Sequence, residues 1–346
     1  SAQADERGKA SGGKLGDQTG KEVVIRAPYN RSGGWDYILR PPADPKPTTT
    51  PPANKIVITE THLAEALKGA GSSTTRSKVR IRKDGSTANT SLSQLASMAS
   101  EAFVGRSYNA HAVAVWVATM LQESAWLATT VEYGTDTKKY DPFRGRTFEQ
   151  LTWKDNYAAF GKWAKDKGYI SDANYFVNNP ELLGDLKWAW LGGIFYFDNR
   201  GLWKTAGTGD FLRVQTAVNM GTASTTKVPA GWFARLRAYR SFLSVYSKPK
   251  AIAVNGTVDL DTRKRLQEFI GADIDGEWGP QTWFLIGQWL ELGTSFNINN
   301  ATHVKALQKK IGLTGGDVDG VWMRPVSKTY GPITTKALQT YLNKYR

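Results

Sequence analysis

Residues 110–134 read AHAVAVWVATMLQESAWLATTVEYG, and the rest of the chain can be ordered around them. Apolar residues at Ala112, Trp116, Met120 and Leu127 recur at helical spacing, which predicts a helix over 110–127 with a buried stripe. Glu123 follows Trp116 by seven residues, about 700° of rotation, and so falls within roughly 20° of that stripe. A carboxylate on the apolar side loses hydration, which disfavours its charged form and suits a general acid. The helix alone equally allows a plainer reading, a helix-end glutamate that reaches solvent. Glu132 lies nine residues further on, about 900° away and about 13.5 Å along the axis of a continuous helix. The two acids can serve one cleft only if the helix ends between them. The β-branched run Thr129-Thr130-Val131 and the following Gly134 predict such a break. Two unrelated surface acids are the alternative.

The downstream stretch Phe143–Gly161, FRGRTFEQLTWKDNYAAFG, bears on this choice. Arg144 and Arg146 are candidates for holding a nearby carboxylate ionised. Gln150 and Asn156 offer the paired donor and acceptor groups that sugar hydroxyls and acetamides need. Thr152 supplies a hydroxyl that can seat a water. Further helices are expected over 61–67, 92–103, 153–167, 186–197, 211–218 and 232–246.

Composition narrows the chemistry. The chain has 346 residues, 40% of them hydrophobic and 22% charged, ordinary for a globular protein of two or three domains. It carries 13 Trp, 14 Tyr and 13 Phe, a load that suits flat amphipathic ligands such as sugars as well as a plain core. Cysteine is absent, which removes disulfides, cysteine zinc sites and cysteine nucleophiles. The three histidines, His62, His111 and His303, are scattered, so neither a histidine metal site nor a Ser-His-Asp triad is expected, and no metal or cofactor is assigned. No apolar run approaches the roughly 18 residues of a membrane span, and SAQADERGKA shows no signal peptide. The first residue is Ser, which suggests a processed chain or part of a longer one. The net charge of +14 is spread along the chain and densest at Arg76–Lys83, RSKVRIRK. Such a field favours polyanions in general: nucleic acid, anionic membrane or anionic cell wall.

Composition shifts also divide the chain. Six of the 14 residues in PPADPKPTTTPPAN, 41–54, are proline, which reads as a stiff spacer. Before it, residues 1–40 contain two strand-like segments, EVVIRAPY and WDYILR, too little for an independent core. Residues 55–89 read as a small basic connecting segment. Residues 90–247 are mostly helical, and Lys248-Pro249-Lys250 marks a second joint. Residues 251–346 carry a repeat: Asn255-Gly256 with Thr262 and Leu266-Gln267; Asp275-Gly276 with Trp278, Gly279-Pro280 and Thr282; Asp319-Gly320 with Trp322, Gly331-Pro332, Thr335 and Leu338-Gln339. Met323–Tyr330 is an insertion in the third copy, expected as a surface loop.

With these motifs in place, residues 90–247 resemble glycoside hydrolase family 19 in the short form found in bacteriophage endolysins. The resemblance is carried by LQESAWL (121–127), Glu132, FRGRTFEQLTWKDNY, the stretch Asn179–Phe197, Val218-Asn219-Met220-Gly221, and Arg235 with Tyr239. It implies a mainly α, lysozyme-like catalytic domain. It implies Glu123 as catalytic acid, Glu132 as the base that activates water, and Thr152 as the hydroxyl that helps seat that water. It implies Gln150, Asn156, Tyr157 and Asn219 as sugar-binding residues and Arg235 as a bridge to the acidic site. The family inverts configuration, so the carboxyls should stand roughly 6.5–9.5 Å apart. The chain departs from the family at Gln122 (usually His), Thr147 and Met220 (usually Gly) and Glu149 (usually aliphatic). Thr147 and Met220 narrow the cleft, and Glu149 is a second candidate for a share of the base role.

Residues 251–346 resemble peptidoglycan-binding repeats. Trp278 and Trp322 are the candidate wall-binding anchors, but core packing is the favoured reading, and ligand contact would then come from rim residues. Residues 1–40 resemble the end of the cysteine-dependent peptidase or amidase domains of endolysins, without their catalytic Cys and His. The resemblances together imply a monomeric peptidoglycan hydrolase. It would be made in the host cytoplasm and act on the wall after a membrane lesion or as part of a virion, with no membrane insertion and no nucleic-acid partner. The opposing readings are a non-catalytic wall-binding or virion structural protein on the same scaffold, and a chitinase.

Overall fold

The computed structural model describes residues 23–25, 37–39, 56–324 and 329–344. The spacer expected at 41–54 and most of the segment 1–40 lie outside the described residues. Residues 1–54 and 55–346 form separate compact units. In the first, β1 (Val23–Ile25) and β2 (Tyr37–Leu39) pair antiparallel, with Val24 opposite Ile38. Both fall inside the segments expected as strands.

The second unit is mainly helical, as expected, and is built around α3 (Ala110–Glu123). Every residue from Ala112 to Leu121 is buried. The expected stripe was therefore too narrow. This helix is apolar all round, and such a helix is stable only when enclosed. It is enclosed by α6 (Leu186–Arg200), α7 (Leu202–Gly207), α8 (Phe211–Met220) and α9 (Trp232–Tyr246). Trp116 meets Phe103 edge-on at 4.8 Å and Trp190 of α6 at 5.1 Å. Truncating a tryptophan packed this way costs about 3–5 kcal/mol. On α6, Gly193 leaves the room for this approach, since a Cβ there would lie 2.2 Å from Met120 Sδ. α4 (Lys154–Asp166) and the short α5 (Tyr175–Asn178) build a second aromatic cluster, with Phe160 and Phe176 against Trp188 of α6.

The segment 55–89 is more than a connector. α1 (Glu60–Ala70) starts at a capping box between Thr59 and His62 and lies along α9. α2 (Leu92–Glu101) packs on α1 and α6. The hairpin of β3 (Lys78–Arg80) and β4 (Thr87–Asn89) carries the basic run. Its cations turn inward: Arg76 donates to the Trp126 carbonyl, Arg80 to those of Arg82 and Lys83, Arg82 pairs with Asp185 at 2.5 Å, and Lys83 with Asp141 at 3.3 Å. Two cations of this stretch, Arg82 and Lys83, are thus paired with carboxylates within the fold, while Lys78 is exposed.

The repeats form α10 (Leu260–Ile270), α11 (Pro280–Trp289), α12 (Ala301–Lys310) and α13 (Pro332–Asn343). Three buried glutamines tie them into a ring. Gln267 donates to Asp275 and Thr282 and accepts from Gly276 N–H. Gln308 does the same with Asp319, Thr334 and Gly320. Gln339 does so with Asn255, Thr262 and Gly256. Each repeat therefore reads the Asx-Gly turn and first-turn threonine of another. The third-copy threonine in this role is Thr334 and not Thr335, whose hydroxyl accepts from Trp322 Nε1 instead. The ends of the inserted loop pair as β5 (Met323–Arg324) and β6 (Thr329–Tyr330).

The repeats dock beside α7 and α8 through backbone contacts at Leu212 to Gly271 (3.0 Å) and Ile274 to Thr208 (3.1 Å), and Gln281 donates to Asp210 at 2.7 Å. A Cβ at Gly271 would lie 2.9 Å from Leu236 Cδ1, so the two parts meet with no spare volume. One hydrophobic core runs across the joint at 248–250.

Candidate active site

α3 ends at Glu123, and the chain then makes a left-handed turn. Ala125, Trp126 and Leu127 have φ of 51°, 63° and 66°, a conformation disfavoured by about 1–2 kcal/mol per residue. Ser124 holds the turn: its hydroxyl donates to the Met120 carbonyl at 2.6 Å and accepts from Leu127 N–H at 2.9 Å. Arg76 Nε donates to the Trp126 carbonyl at 2.9 Å. The helix thus stops short of the expected Leu127, because side-chain capping ends it before the β-branched run. That run continues as extended chain, with Thr130 N–H donating to the Arg80 carbonyl at 2.9 Å.

Glu123 stands at one end of this turn. Its Oε1 lies 2.7 Å from Arg235 Nη2, close but off the hydrogen-bond axis. Arg235 is buried and fixed from three helices. Its Nη1 donates to Gln215 Oε1 at 2.8 Å, Gln215 Nε2 donates to Thr119 Oγ1 at 2.6 Å, and Thr119 Oγ1 donates to the Val115 carbonyl at 2.8 Å. Arg235 Nε donates to the Ala230 carbonyl at 2.9 Å. A partly exposed carboxylate therefore faces a buried cation whose position is set by α3, α8 and α9 together.

Glu132 stands at the other end. Tyr140 Oη–H donates to its Oε1 at 2.6 Å and Gly145 N–H to its Oε2 at 3.3 Å. Its backbone N–H donates to the Gly145 carbonyl at 2.8 Å. The Glu132 hydrogen bond pushes the Tyr140 phenol up to about 12. Gly145 brings Gln150 to the same place: a Cβ there would lie 2.7 Å from Gln150 Oε1 and 3.3 Å from Glu132 Cβ.

The loop that carries Gln150 is strained. Thr147, Gln150 and Trp153 have φ of 68°, 60° and 76°. Thr147 stands where the family resembled in sequence has glycine, and the left-handed φ explains that glycine. Here the threonine fits because Gly192 of α6 makes room: a Cβ at Gly192 would lie 2.1 Å from Thr147 Oγ1. Phe148 N–H donating to the Ala189 carbonyl at 3.0 Å pins the loop to α6. Thr152 Oγ1 donates to the Gln150 carbonyl at 2.8 Å and keeps its lone pairs as acceptors. Asn156 Nδ2 donates to the Thr152 carbonyl at 2.7 Å. Asn219 is exposed one helical turn beyond Gln215.

Several sequence expectations need correction. Tyr157 is fully buried. Its hydroxyl donates to the Arg144 carbonyl and accepts from Arg146 Nη1, both at 2.6 Å, so it braces the loop and has no surface for a sugar. The expectation that Arg144 and Arg146 hold a nearby carboxylate ionised stands for Arg144, whose hydrogen bond holds the Asp141 carboxyl, 2.9 Å away, well below the usual range, while Arg146 pairs with Glu181. Trp322 has no exposed surface and is a core residue, whereas Trp278 packs beside it and stays half-buried. Sequence reasoning also missed Tyr140 and the exposed Tyr133 and Trp153 that flank Glu132 in the chain and the loop. It missed Gln215 as well, although a glutamine amid FLRVQTAV was a visible polar intrusion on an apolar helix face.

A family model described as an endolysin-like domain matches residues 1–57. The N-terminal part of the chain is therefore similar to endolysins, which act on the cell wall. The match runs through the proline-rich stretch. No solved structure matches the chain. Among the described residues, no helix is long and apolar enough to cross a membrane.

Proposed function

We propose that this protein is an endolysin whose helical unit hydrolyses the glycosidic bonds between N-acetylated sugars of bacterial peptidoglycan. The observation that carries the reading is the contrast between two carboxylates at the two ends of one capped left-handed turn. Glu123 abuts a buried arginine, and Glu132 accepts from a phenol and a backbone amide. The roles follow the sequence resemblance, with Glu123 as the acid and Glu132 as the base. In the reaction, Glu132 takes a proton from a water that attacks the anomeric carbon. The bond from that carbon to the glycosidic oxygen breaks, and that oxygen receives the proton of Glu123. The product is inverted, as the family that the helical unit resembles in sequence implies. Gln150, Asn156 and Asn219 are the sugar contacts, and Thr152 helps seat the water.

The endolysin-like match at residues 1–57 supports peptidoglycan over chitin. The C-terminal repeats would hold the enzyme on the wall, with the half-buried Trp278 at their rim. The net charge of +14 suits an anionic wall and makes binding weaken with salt. The test is Glu123→Gln on purified walls. The variant should lose turbidity clearance while still sedimenting with the walls. Undiminished clearance would leave a wall-binding protein with another catalytic centre or none.

A further inference from the structure

Two side chains beside Glu132, Trp153 and Lys139, have no task in the reaction. Trp153 is held at φ 76° and ψ 145°, a region nearly reserved for glycine. Its N–H donates to the Phe143 carbonyl at 2.9 Å, which ties it to the loop that reaches Gly145 and Glu132. Burial offsets little of that strain, since 47% of the residue is exposed. Among the described residues its one ring contact is Tyr140, edge-on with 5.2 Å between ring centres. Tyr140 in turn donates to Glu132 at 2.6 Å, so the exposed indole stands one side chain away from that carboxylate. The Lys139 ammonium lies 5.3 Å from the centre of the Trp153 ring. Lys139 is exposed and, among the described residues, makes no ion pair, whereas Lys138 pairs with Asp136 and Lys83 with Asp141.

We propose that Trp153 and Lys139 form a binding subsite for an N-acetylated sugar that carries a carboxylate, with the indole under the sugar ring and the ammonium on the acid. The proposal rests on the reading of Glu132 as the base of a glycan hydrolase. An exposed indole offers a flat apolar face, which suits the C–H face of a pyranose ring. Backbone strain of this kind persists at ligand clamps. An ammonium over a ring face keeps three N–H donors that the ring does not saturate. Its attraction to an exposed ring is weak, and a charge-assisted hydrogen bond to a carboxylate is stronger. Peptidoglycan offers that carboxylate in two places: on the lactyl ether of its muramic sugar where the peptide stem is absent, and on the stem where it is present. A polymer of N-acetylglucosamine offers neither. The pair therefore favours wall glycan over chitin within one cleft.

The experiment titrates three soluble glycans into the full chain carrying Glu123→Gln and reads dissociation constants by calorimetry. They are an N-acetylglucosamine tetramer, a wall tetrasaccharide with free lactyl carboxylates, and the same tetrasaccharide with peptide stems. Adding Lys139→Met should weaken binding of at least one wall tetrasaccharide about threefold and leave the tetramer unchanged. That loss should vanish in about 1 M salt. A loss on the stem-free fragment names the lactyl carboxylate, and a loss on the other names the stem. Adding Trp153→Gly should weaken all three about tenfold without lowering Tm, since glycine suits φ 76°. Trp153→Phe should keep most of the affinity. No binding by any glycan, unchanged affinities in Lys139→Met or Trp153→Gly, a Lys139→Met loss that includes the tetramer, or a Trp153→Gly loss that only follows a falling Tm overturns the proposal. Purified walls separate the layers. If Glu123→Gln alone clears them, the catalytic reading fails. If it is inactive while Lys139→Met leaves every affinity unmoved, only the subsite fails.

Discussion

Gly192→Ala probes how the active-site loop is held. The new Cβ would lie 2.1 Å from Thr147 Oγ1, 2.5 Å from its Cβ and 2.7 Å from its Cγ2. None of these atoms is the end of a long side chain, and Phe148 is tied to the Ala189 carbonyl one residue on. The clash is relieved only by moving backbone, at a cost of about 1–3 kcal/mol. For a unit of this size that lowers Tm by roughly 2–12 °C. The loop also carries Glu149, Gln150 and Thr152, and a displacement of about 1 Å at reacting groups costs about 10²-fold in rate. Thermal melting followed by fluorescence, with wall clearance measured well below both midpoints, reads the two effects. Adding Thr147→Gly removes the clashing atoms and suits a residue at φ 68°, so the double variant should recover most of the lost Tm. An unchanged Gly192→Ala protein, or a loss that Thr147→Gly does not repair, would refute the packing account.

Other perturbations test other layers. Gln215→Leu strands Arg235 Nη1 in the core and removes the donor to Thr119. It should cost about 2–4 kcal/mol in denaturant unfolding and lower clearance together with stability. Tyr140→Phe allows a difference titration by ultraviolet absorbance. The tyrosine lost should ionise near 12 in wild type and nearer the ordinary 10 when Glu132→Gln is already present. The native pKa lies above the unfolded one, so this contribution to stability is present below pH 10 and lost as the pH rises toward 12. His111 accepts or donates at Tyr239 Oη (2.8 Å) and faces Glu268 across the docked repeats at 3.7 Å, and burial lowers its pKa below the ordinary 6.5. Below that pH the unfolded chain takes up the proton first, so stability should fall as the solution is acidified. His111→Gln should flatten that dependence in denaturant midpoints measured from neutral to acid pH.

The sequence made the helices legible because their apolar spacing and caps are local. The expected helix 232–246 coincides with α9, and 186–197 with all but the last turn of α6. The end of α3 was not legible, since it depends on Ser124 capping and on Arg76, which comes from another part of the chain. The two principal acids were visible through the helix face and the family motifs. The groups that set their environments were not. Gln215 and Tyr140 act through contacts that close only in three dimensions. The arginines were visible as charges, but which carboxylates they hold was decided by the fold. Trp322 is the converse case, where the competing core reading holds. An aromatic after an Asx-Gly turn looks like a ligand anchor, yet this one is packed among Trp278, Phe296 and Tyr330.

The most direct test is mass spectrometry of purified peptidoglycan digested in heavy-oxygen water. New reducing sugar ends, each carrying one solvent oxygen, are expected from the wild type and from neither Glu123→Gln nor Glu132→Gln. Anhydro-sugar ends, cleaved peptide stems on intact glycan, or the same sugar ends from either variant would contradict the two-carboxylate account.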